Sequence, residues 1–166
     1  MIHLPPPRIE AHMIPTTVER VPQHTSEAVN ERIRRQTESD VARYGSAGDV
    51  AIDQRLQELE RERDIERTLE ANAATIALVG LGLGAFVNRR FFALPAVVAG
   101  FLLQHAIQGW CPPVPVFRRL GFRTQPEIEQ ERYALKVLRG DFDQVHQAAG
   151  QGARSHVSDI LDAVRR

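Results

Sequence analysis

Residues 71–110 read ANAATIALVGLGLGAFVNRRFFALPAVVAGFLLQHAIQGW, forty positions in which Arg89 and Arg90 are the only charges. The stretch divides at Asn88-Arg89-Arg90 into an apolar run of seventeen residues, 71–87, and one of twenty, 91–110. At about 1.5 Å per helical residue these lengths span roughly 25 and 30 Å, close to the hydrocarbon thickness of a bilayer. The alternative is a pair of buried helices inside a water-soluble bundle. Helices that are apolar all round need several partner helices with wide apolar faces, and the flanking sequence offers only narrow stripes. The expected fold is therefore an all-α membrane protein. It comprises a two-helix transmembrane hairpin over 71–110, flanking amphipathic cytoplasmic helices and a disordered N-terminal arm.

The flanks define the remaining domains. Residues 1–24 carry Pro5, Pro6, Pro7, Pro15 and Pro22, which fix the backbone and remove amide donors, so this segment is expected to be the disordered arm. Residues 25–70 should form amphipathic helices. The first has Thr25 or Ser26 as N-cap, Val29, Ile33, Val41 and Tyr44 on one face, and Gly45 as a stop. The second restarts at Asp49 with Ile52, Leu56 and Leu59 in line, then Ile65 and Leu69 after a shift of face. Residues 111–166 are read as an exit loop and C-terminal helices. Thr124-Gln-Pro-Glu127 is a capping box, followed by Ile128, Leu135 and Leu138 up to Gly140. AAGQGAR then links to SHVSDILDAVRR, where Val157, Ile160, Leu161 and Val164 make a stripe. The first twenty residues lack the basic cluster, long apolar core and small-residue cleavage site of a signal peptide, so none is expected.

Small residues predict how the hairpin packs. Ala73, Ala77, Gly80 and Gly84 recur at steps of four, three and four, and Ala96 and Gly100 repeat the step on the second span. Lipid tails already satisfy Leu and Val, so helices associate in membranes through close backbone approach, for which Gly and Ala leave room. The same stripe suits a second copy of the chain, so the expected partners are the bilayer and either a homo-oligomer or another membrane protein. Six arginines, at 61, 63, 67, 118, 119 and 123, lie near the outer ends of the spans, against two in the turn, which predicts both termini in the cytoplasm. Trp110, Arg118, Arg119 and Arg123 are expected at the membrane interface.

Charge and motif content exclude several function classes. With 21 basic and 21 acidic residues the chain has no global field to recruit nucleic acid. GLGLG at 80–84 lacks both the spacing and the preceding strand of a phosphate loop, so no nucleotide and no other cofactor is expected. One cysteine excludes an internal disulfide and a cysteine-built zinc site.

The apolar hairpin, ending in Cys111-Pro112 and followed by Leu120-Gly121 and Thr124, resembles the YgaP-like transmembrane domain, a small bacterial inner-membrane family of largely undefined role. The likeness covers about residues 65–124. Here PVPVFRR lengthens the interval between Cys-Pro and Leu-Gly, and the family's Asn-Val-Gly opening is missing. The resemblance implies a multi-pass protein of the bacterial inner membrane. Some members attach a rhodanese domain, which would imply sulfur transfer, but the first seventy residues here hold no cysteine.

Cys111 is the one candidate for thiol chemistry. Arg118 and Arg119 could supply cations to a thiolate, but Pro112, Pro113 and Pro115 donate no hydrogen bonds and the preceding helix presents its negative end. Both effects raise the thiol pKa, so a structural role is expected. Gln104, His105 and Gln108 close the second span beside Asn72 and Thr75 at the start of the first. His105 and Cys111 together are two ligands, too few for a metal site in a monomer, so no metal and no catalytic residue is assigned. The expected function is a non-catalytic membrane anchor or scaffold that self-associates or recruits a partner. The alternative is an accessory role in sulfur or thiol handling through Cys111.

Overall fold

A computed structural model describes residues 18–143; most of the expected arm and the expected helix over 155–166 lie outside them. The described residues are all-helical, in the order α1 (Arg20–Gln23), α2 (Glu27–Ser46), α3 (Asp49–Arg61), α4 (Ile65–Phe86), α5 (Ala93–Gln108), α6 (Val114–Arg119) and α7 (Gln125–Arg139). A single 3-10 turn, Arg89–Phe92, joins α4 to α5.

Helices α2, α3 and α7 form a bundle whose core is Ile52, Leu56 and Leu59 from α3 and Ile128 and Leu135 from α7, with Tyr44 of α2 packed on it. A second cluster joins Val21, Ile65, Leu69, Cys111 and Val114. Val21 is 1% exposed, which corrects the expected arm: its last residues, 18–24, are folded. Pro22 is tolerated because it lies in the first turn of α1, where backbone amides have no intrahelical partner.

Two helix boundaries also differ from expectation. Helix α2 runs through Gly45, and the chain instead turns at Gly48, whose φ is +89°. A Cβ at Gly45 would lie 2.5 Å from Leu138 Cδ1, so that glycine admits α7 rather than stopping α2. The shift of face after Leu59 is a true break at residues 62–64. Asp64 caps the new helix by accepting from the Arg67 amide at 2.7 Å, so α4 begins at Ile65, six residues before the apolar run.

Helices α4 and α5 run antiparallel. Gly84 faces the Phe92 ring and Gly80 faces Leu94 and Pro95 near the turn, while Leu69 and Ala73 line one cavity with His105 at the other end. Two stretches, Asp49–Phe86 and Arg89–Gln108, each contain a window long and apolar enough to cross a membrane. Only 22% and 6% of those windows is buried, unlike the core helix of a water-soluble protein. Leu78, Phe86, Val97 and Leu103 are 68, 91, 55 and 63% exposed.

The small-residue stripe is one-sided. Ala73, Gly80 and Gly84 are buried and Ala77 is half-buried, whereas Ala96 and Gly100 are exposed, with open space around Gly100. Helix α5 turns larger side chains toward α4 at steps of four, Leu94 against Gly80 and Val98 and Leu102 into the cavity between the two helices; Ala96 is about 200° around the helix from Leu94. Ala96 and Gly100 therefore do not pack the pair within one chain. A Cβ on Gly80 would lie 2.8 Å from Pro95 Cδ, and one on Gly84 2.7 Å from Phe92 Cδ1. Gly80→Leu or Gly84→Leu should each cost about 1–3 kcal/mol by overpacking, read as a lower Tm in detergent, while Gly100→Ala should leave Tm unchanged or slightly raised. Equal melting of all three would refute this packing.

Candidate functional site at the base of the apolar helices

The junction between bundle and apolar pair is built on buried guanidinium groups. Arg118 is fully buried. It donates to both oxygens of Glu127, at 2.6 and 2.7 Å, to Asn30 Oδ1 at 3.0 Å and to the Phe122 carbonyl at 3.1 Å. Glu127 is also the capping-box residue: it accepts from the Thr124 amide at 2.8 Å, while the Thr124 hydroxyl accepts from the Glu127 amide. Burial alone would raise the Glu127 pKa, but the hydrogen bonds from Arg118 and Thr124 outweigh it and hold the carboxyl below its ordinary value.

Arg123 makes the second clamp. It donates to the two oxygens of Glu62 at 2.8 and 2.6 Å, to Thr37 Oγ1 at 3.3 Å, and to Glu131. Glu131, itself fully buried, also takes Arg55 Nε at 2.7 Å. Burial would depress both guanidinium pKa values, but their carboxylate partners raise them, so both stay charged. A third arginine, Arg20, reaches the Ala106 carbonyl at 3.3 Å and Glu66 at 3.2 Å, tying α1 to the negative end of α5 and the first turn of α4.

Above this layer lies a cavity of about 170 Å³ between α4 and α5 that brings His105 and Cys111 together with Asn72. Both nitrogens of His105 are buried without a hydrogen-bond partner. Cys111 is a free, buried thiol in the core with Val21 and Ile65, and burial pushes its pKa up. Gln104 is half-buried, Gln108 is exposed, and neither lines the cavity. Among the described residues, no group of three or more His, Cys, Asp or Glu could hold a metal.

The expected interfacial residues separate into two kinds. Trp110 is half-buried, edge-on to Phe101 at 6.5 Å, and Arg119 is exposed. Arg118 and Arg123 are not at the surface: both are buried and their charges are engaged by carboxylates. Counting charges along the chain misses partners such as Glu62, 61 positions from Arg123. Glu62, Glu131, Arg55 and Asn30 were not anticipated from sequence; the only signal was the capping box at Glu127.

Removing one member of a buried ion pair strands its partner, a cost of about 3–5 kcal/mol. Arg118→Met should therefore lose about that much stability, and Arg119→Met under about 0.5 kcal/mol. A carboxyl whose pKa is depressed in the folded state stabilises the fold above its unfolded value, about 4.3, and that stability drains away as pH falls through the lower folded value. Thermal unfolding from pH 7 to 3 should show the destabilisation caused by Glu127→Gln shrinking below about pH 4. A pH-independent difference would count against the pair.

No family model, curated protein or solved structure matches the chain, so its function has to be read from this arrangement.

Proposed function

We propose that the protein is a non-catalytic membrane anchor: α4 and α5 cross the bilayer as a hairpin and hold the α2–α3–α7 bundle at its surface as a scaffold for self-association or for a partner protein. The observation that carries this is the contrast in burial. The bundle hides its apolar residues in an ordinary core, whereas the helix pair turns Leu78, Phe86, Val97 and Leu103 outward with nothing among the described residues to cover them. In water such a surface would aggregate; in lipid it is satisfied. At about 1.5 Å per residue, the apolar residues 71–86 of α4 reach roughly 24 Å, somewhat short of a hydrocarbon core of roughly 30 Å and within reach of it once the first turns of the helix sit at its edge.

Both ends of the chain then lie on one side, because α4 rises from the bundle and α5 returns to it. We assign that side to the cytoplasm. Arg61, Arg63, Arg67 and Arg119 are exposed at the bundle end, against Arg89 and Arg90 at the turn, and arginine excess favours the cytoplasmic face. The likeness of Cys111-Pro112 and Leu120-Gly121 to the YgaP-like domain points to a bacterial inner membrane. It also carries the alternative, sulfur handling through Cys111. That reading has the raised thiol pKa against it, and the Arg118 guanidinium that would activate the thiol is held by Glu127 and Asn30.

Alkaline carbonate washing should leave the protein in the membrane pellet; release to the supernatant would end the hairpin reading. In a Cys111→Ser background, Asn88→Cys should react with an impermeant maleimide in intact spheroplasts, and Val50→Cys only after the membrane is opened. The reverse pattern would invert the topology.

A further inference from the structure

The cavity at the base of the hairpin is incomplete as it stands. Its walls are apolar, with Ala73 and Ile76 on α4 and Val98 and Leu102 on α5, and its floor is Cys111. Its polar groups are Asn72 and His105. His105 is 7% exposed, and neither of its ring nitrogens makes a hydrogen bond; the backbone of Gly109 is near the ring without meeting hydrogen-bond geometry. A neutral imidazole carries one N–H and one bare nitrogen. Leaving a buried donor unmatched costs about 1–3 kcal/mol, so the site calls for an acceptor.

The place of the cavity says what kind of molecule supplies it. Lining residues run from Leu69 to Ile76 on α4, a rise of about 10 Å, with the polar end at the last turn of α5 and the apolar end toward mid-span. If the hairpin crosses the bilayer, the reading on which this inference rests, His105 sits where hydrocarbon gives way to the interface. A glycerolipid has the same order of chemistry, an ester carbonyl at the boundary and an acyl chain beyond it. The volume, about 170 Å³, holds an apolar group about the size of benzene, which fits a dry cavity of about 150 Å³. Water is a poorer occupant, since a buried water needs two to four polar partners and this space is mostly hydrocarbon-walled.

We propose that this cavity binds the first carbons of one glycerolipid acyl chain, with His105 donating a hydrogen bond to the ester carbonyl oxygen and Asn72 beside it. The bond is non-covalent and one lipid per chain is held.

The full chain, with ring-15N histidine, would be placed in phosphatidylcholine bilayers whose acyl carbonyl carbons are 13C, and 13C–15N dipolar contacts measured by solid-state NMR. One histidine should show a contact of about 4 Å, the separation expected when N···O is about 2.9 Å. That contact should vanish in His105→Phe, which separates His105 from the other five histidines. It should also vanish in Val98→Trp, which fills the cavity and leaves the imidazole in place, so the test survives if one variant fails to fold. An ether-linked lipid without the carbonyl should be retained at least tenfold less in native mass spectra. A His105 ring that contacts only water, or a carbonyl of the chain itself, would overturn the proposal. So would equal retention of ether lipid. If the protein resists carbonate washing yet shows no lipid contact, only this inference falls; if it washes off, the membrane reading falls first.

Discussion

Arg123 is the residue through which the rest of the molecule is connected. Its carbonyl accepts the Ile65 amide at 2.8 Å, fixing where the first apolar helix begins. Its guanidinium holds Glu62, in the break just before that helix, and Glu131 on α7, and reaches Thr37 on α2. One side chain thus sets the direction in which α4 leaves the bundle. Lysine could not replace it, because a point ammonium lacks the planar fork that takes two carboxylates at once. The charges nearly balance: Glu131 lies between Arg55 and Arg123, and Glu62 and Asp40 approach those arginines from outside. That balance matters because each buried ion loses several kcal/mol of hydration, which only well-formed partners offset.

Ion pairs at this junction supply direction rather than extra stability. Apolar burial is non-directional, and an apolar seam between bundle and hairpin would let the two halves rotate. Bidentate bonds from Arg118 to Glu127 fix an angle as well as a distance. Glu127 is already committed by the capping box to the first turn of α7, where the helix dipole also favours a carboxylate. The pair therefore orients α6 against the start of α7, and Asn30 extends the constraint to α2.

What could be read from sequence was what depends on near neighbours in the chain. The apolar block, the capping box at Thr124 and the stop at Gly140 each rest on spacings of a few residues, and each appears in the structure. Asp64 carried a cap signal that the dense charge of 58–70 masked, because Glu and Arg favour helix on both sides of the break. Long-range choices were not legible. Ala96 and Gly100 repeat the step of Ala73 and Ala77, and nothing in one dimension says that α5 would offer Leu94 and Val98 instead. Val21 reads as one apolar residue among prolines, yet it is buried in one cluster with Ile65 and Val114.

The cavity follows from how α5 must end. Gly109 adopts φ +76°, and a Cβ there would lie 2.5 Å from the Arg20 carbonyl oxygen, so the helix stops where α1 crosses it. Pro112 and Pro113 come next; they have no N–H to offer the bare nitrogen of His105 and cannot extend the helix over it. Cys111, small and apolar enough to share the core with Leu69 and Val114, leaves more room than a leucine would. A sharp exit, two prolines and a small residue together withhold the polar atoms that would pair with the ring of the buried His105. The same features that anchor α5 to the bundle therefore leave an opening beside His105, walled by Ala73 and Ile76 of α4 and Val98 and Leu102 of α5.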